Sequence, residues 1–270
     1  GKFYDDYDKR QNENLNPGTA FRLLSYLLDL WNSPLNDSHN SNIYIGFYGG
    51  EPLLNFPFIT QVVDYVRNLN ALHRRFTFTM TTNAILLHKY MDYLAENDFS
   101  LLISLDGNPE NNAYRVYKNG KPSFDTVFKN IAALRDKYPE YFLNRVNFNA
   151  VLHNKNSVPD IYRFFKTHFD KVPSIGSLNT GGIKKSQIEE FRKTYSNFNE
   201  SLYQSEDYSM IEKDMFVKLP NIQDVMIYLH KYQDYCFNDY NDLIYDTHGK
   251  FIPTGTCAPF SKKIFVTVKG

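Results

Sequence analysis

Short apolar runs alternate with amphipathic helical stretches through most of the chain, and this alternation constrains the fold more than any other feature. Asn16-Pro17 supplies a helix N-cap and first turn, followed by Phe21, Leu24, Leu28 and Trp31 at helical spacing. Strands are expected at residues 43–48, 76–81, 101–105, 146–152 and 175–178, separated by helices at 57–70, 88–97, 124–137 and 158–169. Repeated βα units require crossover connections, and right-handed crossovers set the strands parallel in one sheet. The expected class is therefore α/β, a parallel βα-repeat sheet either curled toward a barrel or left open. A chain of 270 residues is long enough for one barrel-sized domain with a short appendage. From Lys184 the period changes. Ile188, Phe191, Tyr195, Phe198 and Leu202 predict one amphipathic helix, residues 207–220 a connector, and Ile222, Val225, Met226, Leu229 and Tyr232 a further helix leading to Cys236. Residues 264–268 alternate like a strand.

Composition narrows the function classes. Lys plus Arg and Asp plus Glu are 30 each, so net charge gives no general attraction to nucleic acid or to an anionic membrane. No apolar run approaches the roughly 20 residues of a bilayer span, and residues 1–10 are polar, so the expectation is a cytoplasmic chain with neither a nucleic-acid nor a membrane partner. The 21 tyrosines and 22 phenylalanines are scattered among Asn, Asp and Lys, which suits core and groove lining better than base stacking. Cys236 and Cys257 are the only cysteines, too few for a disulfide framework or for an iron-sulfur cluster held by several thiolates. The seven histidines lack an HExxH pairing, and no GxSxG, Walker or dinucleotide motif occurs.

Parallel βα sheets carry their chemistry at the carboxyl ends of the strands. Those ends read Glu51, Thr82-Asn83, Ser104 with Asp106-Gly107, His153 and Asn179, each polar after an apolar strand. In Tyr48-Gly49-Gly50-Glu51-Pro52 the glycines let the backbone flatten against a ligand, so that the Gly49 and Gly50 carbonyls can accept from an ammonium group that Glu51 also attracts. Arg115 is a cation suited to a carboxylate. Glu51 and Arg115 together would hold the two charged ends of an amino-acid ligand. Each of these residues also has a plain structural reading, as a turn former or a solvated loop charge.

The ordered set Tyr48-Gly49-Gly50-Glu51-Pro52, Thr81-Thr82-Asn83, Ser104-Leu105-Asp106-Gly107, Arg115 and Ser123-Phe124-Asp125 resembles the strand-end motifs of radical S-adenosylmethionine (SAM) enzymes. The likeness is to the peptide and protein maturases with a C-terminal SPASM extension, the group of anaerobic sulfatase-maturating enzymes. It covers residues 43–153 well, 255–270 fairly and 184–246 loosely. The resemblance implies an incomplete TIM-like (β/α)6 radical SAM barrel over residues 1–235 and the start of a SPASM-like extension over 236–270. It implies that Gly49, Gly50 and Glu51 contact the SAM amino group, Ser104 and Arg115 its carboxylate, Asn83 the pocket wall, and Val151, Leu152 and His153 the adenine edge. Asp106 would be the catalytic acidic residue facing the substrate.

Such enzymes bind a 4Fe-4S cluster through a CxxxCxxC loop, which this sequence does not contain. Gly1-Lys2-Phe3-Tyr4 resembles the run that follows the last of those cysteines, so the expectation is a chain that starts after the cluster loop, with the cluster ligands outside it and no activity of its own. Gly255-Thr256-Cys257-Ala258-Pro259 resembles the opening of a SPASM extension, making Cys257 an auxiliary-cluster ligand. The implied partners are a peptide or protein substrate and an electron donor such as flavodoxin or ferredoxin. Two other readings stay open. One is a non-catalytic barrel relative that binds peptides in an aromatic groove, and the other is a barrel hydrolase using Glu51 and Asp106 as its carboxylate pair.

Overall fold

The computed structural model describes residues 3–4, 13–32, 42–69, 74–216 and 264–267. Five strands, β1 (Asn42–Phe47), β2 (Arg75–Thr82), β3 (Ser100–Ser104), β4 (Val146–Leu152) and β5 (Ser174–Ser177), form one parallel sheet in the order β1-β2-β3-β4-β5. Helix α1 (Pro17–Asn32) precedes β1, and α2 (Phe56–Arg67), α3 (Leu87–Glu96), α4 (Phe124–Lys137), α5 (Pro139–Arg145) and α6 (Val158–Phe169) make the crossovers. Because each strand lies beside its predecessor, the sheet grows in one direction and curls into an incomplete barrel.

The strand register separates two faces. Ile45 pairs with Phe78, Met80 with Leu101, Ile103 with Phe148, and Ala150 with Ile175. These apolar positions share the face packed by Val63 of α2, Leu94 of α3, Ile131 of α4 and Phe165 of α6. On the other face Gly46 pairs with Thr79, Thr79 with Ser100, and Ser104 with Asn149, so the concave wall carries mostly small and polar side chains, with Tyr44, Leu102 and Val151 among them. Phe148 is fully buried at the centre of an aromatic cluster, its ring 4.7 Å from Phe165 and 4.9 Å from Phe169.

Local signals set the helix ends. Asn16 Oδ1 accepts from the Gly18 N–H at 2.8 Å and opens α1. Ser157, extended at φ −133°, accepts from the Asp160 N–H and opens α6 beside the His153–Asn156 turn. Ser157→Ala is expected to lower stability by about 1 kcal/mol, seen as a lower urea midpoint with unchanged slope.

Three expectations need correction. The single amphipathic helix after Lys184 is two, α7 (Ile188–Thr194) and α8 (Phe198–Tyr203), because Tyr195 turns extended and Asn197 caps α8 through the Glu200 N–H. The expected connector at 207–220 begins as helix α9 (Tyr208–Phe216), and α5 was not foreseen. Residues 264–267 are not in a strand. The helix expected from Ile222 to Tyr232, Cys236, Cys257 and the 255–259 run lie outside the described residues, and among those described no helix is long and apolar enough to cross a membrane.

Candidate functional site

At the carboxyl end of β1 the chain enters Gly49 at φ +153°, a conformation that disfavours a side chain, and an added Cβ at either Gly49 or Gly50 would meet nothing within 4 Å. The glycines thus present open backbone. Glu51 follows in extended conformation and caps the short 3-10 turn Pro52–Asn55 by accepting from the Leu53 N–H. Its carboxylate also reaches the end of β2, where Oε1 accepts from Thr82 Oγ1 and Oε2 from the Asn83 N–H, both at 2.8 Å. Thr82 Oγ1 in turn accepts from the Ala84 N–H, and Asn83 Oδ1 from the Ile85 N–H, closing a turn in which Ala84 is left-handed at φ 58°. Glu51, Thr82 and Asn83 therefore form one braced rim with the carboxylate half-buried at its centre.

At the end of β3 Asp106 was expected to face a substrate. Its side chain instead is 3% exposed and grips Arg115, with Nε donating to Oδ2 and NH2 to Oδ1, each at 2.7 Å. Oδ1 also accepts from the Val151 N–H at 2.8 Å, taking the place of a ladder carbonyl where β3 ends. Arg115 is held at its backbone too. Its N–H donates to the Asn112 carbonyl, and its own carbonyl accepts from Ser123 Oγ at 2.8 Å. Ser123 precedes α4 yet makes no side-chain cap there, since its hydroxyl serves Arg115. Gly107 is required in this loop, with φ +123° and Asn111 atoms 3.0 Å from where a Cβ would sit.

Next to the pair, His153 is buried and accepts at Nδ1 from the Lys155 N–H, with Asn156 Nδ2 3.1 Å from its Nε2. Burial lowers its pKa, against the opposing pull of Asp106, whose Oδ2 lies 4.0 Å from Nε2. Arg115 rather than His153 is accordingly the countercharge of Asp106. Tyr114 covers the imidazole edge-on at 4.8 Å and donates its hydroxyl to Asn154 Oδ1.

The other expected residues are placed as follows. Ser104 ends β3 half-buried on the concave face, in register with Asn149. Leu152 is fully buried, with its side chain on the helix-covered face, so Val151 is the residue that offers a side chain to the concave wall here. The Asn179 carbonyl accepts from the Tyr4 hydroxyl, and Phe3 and Tyr4 lie along residues 183–184. Asn112, whose Oδ1 accepts from the Asp106 N–H, Asn156, which accepts from the His153 N–H and donates to the Val151 carbonyl, and the Val151 amide on Asp106 were not foreseen. A separate open cleft of about 450 Å³ lies toward the starting ends of β4 and β5, between Asn147, Ser174, Phe198 and Met215, away from this rim. Among the described residues no group of three or more His, Cys, Asp or Glu could hold a metal ion.

Open glycine backbone and a braced carboxylate follow β1, and an oriented guanidinium stands in the loop after β3; these groups suit the ammonium and the carboxylate of an amino-acid group respectively. Residues 39–167 match the model of the Radical SAM superfamily. The uncharacterized protein MJ0907 of Methanocaldococcus jannaschii is 33% identical over 160 residues, 59% of this chain and 50% of that protein. The radical SAM cyclopropyl synthase TigE of Paramaledivibacter caminithermalis is 26% identical over 152 residues, 56% of this chain and 29% of that protein. The solved structure of native anSMEcpe with bound AdoMet superposes with a TM-score of 0.51 at 23% identity, covering 60% of this chain and 42% of that one, a likeness of fold. The chain thus spans half or less of the length of these relatives.

Radical SAM enzymes use SAM and a 4Fe-4S cluster. The side chains present fit the first group better than the second. Arg115 NH1 makes no hydrogen bond among the described residues, and the buried Asn111 and Asn112 Nδ2 groups in the same loop are unpartnered, whereas the sequence has two cysteines and no CxxxCxxC run.

Proposed function

We propose that this chain, whose residues 39–167 match the model of the Radical SAM superfamily, is the SAM-binding core of a SPASM-type enzyme that modifies a peptide or protein side chain. The observation that carries the reading is the Asp106–Arg115 pair, which leaves one edge of a guanidinium open at the carboxyl end of β3 while the Gly49-Gly50-Glu51 rim stands at the end of β1. SAM bound with its cluster supplies a radical able to abstract hydrogen from a substrate. The side chains described here bind and orient SAM. The Gly49 and Gly50 carbonyls and Glu51 take the ammonium, Arg115 and Ser104 the carboxylate, and Asn83 and Val151 wall the remainder. In the same reading residues 1–235 are the core, 236–270 begin the extension, Cys257 ligates an auxiliary cluster, and a flavodoxin or ferredoxin supplies electrons.

The test uses the full-length protein loaded with iron and sulfide under anaerobic conditions and supplied with SAM and dithionite. Formation of 5′-deoxyadenosine is expected. Arg115→Gln is expected to raise the SAM Kd about 10- to 100-fold, as removal of one charge-assisted contact worth roughly 1.5–3 kcal/mol implies. No SAM turnover by the loaded wild type, or an unchanged Kd in the variant, contradicts the reading.

A further inference from the structure

We propose that Asp106 is a positioning residue that acts through Arg115, holding the guanidinium by one edge so that the opposite edge is presented to a ligand carboxylate. The inference rests on the SAM-binding reading of Arg115 above.

A guanidinium offers five N–H donors along a rigid fork, enough for two carboxylates on two edges. Asp106 takes the Nε and NH2 edge with two bonds of 2.7 Å. NH1 and the second hydrogen of NH2 form the other edge, and NH1 has no hydrogen-bond partner among the described residues. Exposure is divided in the same sense, 26% for the Arg115 side chain against 3% for Asp106, so the pair turns its cationic side outward.

Asp106 is itself fixed before any ligand arrives. Its N–H donates to Asn112 Oδ1, its Oδ1 accepts from the Val151 N–H, and the positive φ of Gly107 sets the loop that follows. Arg115 is then tied at both ends, through Ser123 and Asn112 at its backbone and through Asp106 at its head. A buried carboxylate needs a paired charge, and Arg115 supplies it with two bonds of 2.7 Å, whereas His153 Nε2 lies 4.0 Å away. Asp106 and Arg115 are therefore mutually dependent, and the polar group left over is the outward edge of the arginine. Two further buried donors in this loop, Asn111 Nδ2 and Asn112 Nδ2, also lack a partner, as a site awaiting an acceptor group would have.

The test compares SAM with decarboxylated SAM by isothermal titration on the full-length, cluster-loaded protein. The readout is the ratio of their dissociation constants, because loss of general pocket structure weakens both ligands alike. Asp106→Asn is expected to lower the wild-type preference for SAM at least tenfold while changing affinity for decarboxylated SAM less than threefold. Arg115→Lys keeps the charge, and so the partner of Asp106, but cannot be held along a planar edge. It is expected to lose the same preference, and it preserves the test should Asp106→Asn fail to fold by far-UV circular dichroism. Retention of the wild-type ratio in Asp106→Asn, an equal loss for both ligands, or full preference in Arg115→Lys overturns the assignment. A wild type with no preference for SAM overturns the carboxylate role of Arg115 as well, which separates failure of the underlying reading from failure of this one.

Discussion

Glu51→Ala is expected to lower the unfolding free energy by about 2–3 kcal/mol and to abolish measurable SAM binding. Three donors, the Leu53 and Asn83 N–H groups and the Thr82 hydroxyl, converge on its carboxylate, and removal leaves all three without that acceptor. The rim is half-buried, so water re-satisfies part of the loss, which keeps the expected figure below the sum of three full desolvation penalties. The consequence for binding is geometric. Glu51 is the link from the end of β1 to the end of β2, and without it the Gly49-Gly50 backbone loses its fixed relation to Asn83. Urea titration with matched SAM titration checks both parts. A variant as stable as wild type would show that Glu51 contributes charge alone.

The second large effect is expected at Phe148. Its ring is fully buried and lies near Phe142, Phe165 and Phe169, tying β4 to α5 and α6. Phe148→Ala removes a large buried ring from a packed cluster and is expected to cost about 3–5 kcal/mol, a sizeable share of the stability of an ordinary domain. Its neighbour Asn147 faces the concave wall and is exposed, so Asn147→Ala is the matched control, with an expected change within about 0.5 kcal/mol. Equal losses at the two positions would contradict the assignment of faces.

The sheet was legible because its strands are short apolar runs between strong breakers. The predicted ranges 124–137, 146–152 and 158–169 coincide with α4, β4 and α6, each bounded by a residue with a clear local role, such as Ser157. The elements that were missed have weaker signals. Helix α5 starts at Pro139 directly after the end of α4, so its seven residues read as a tail rather than as a new helix. The break between α7 and α8 was written as Asn197 three residues before Glu200, but the continuous three-and-four spacing of apolar residues masked that cap.

The site divides in the same way. Gly49-Gly50-Glu51 is contiguous and follows a strand, so its place at the rim could be read directly. That Asp106 turns inward to Arg115 could not, since the two are nine residues apart in a loop with no period to relate them. Leu152 shows a further limit. Its neighbourhood was read correctly as a strand end, yet the two-residue alternation of β4 puts its side chain in the core and that of Val151 on the concave wall.

The central claim is that the rim formed by Gly49, Gly50, Glu51 and Arg115 binds the amino-acid end of SAM, and a crystal structure of the full-length, cluster-loaded protein with SAM tests it most directly. The SAM carboxylate is expected within hydrogen-bond distance of Arg115 NH1 while Nε and NH2 stay on Asp106, with the ammonium against Glu51 and the glycine carbonyls. SAM bound elsewhere, or an Arg115 that leaves Asp106 and turns away from the ligand, would contradict it.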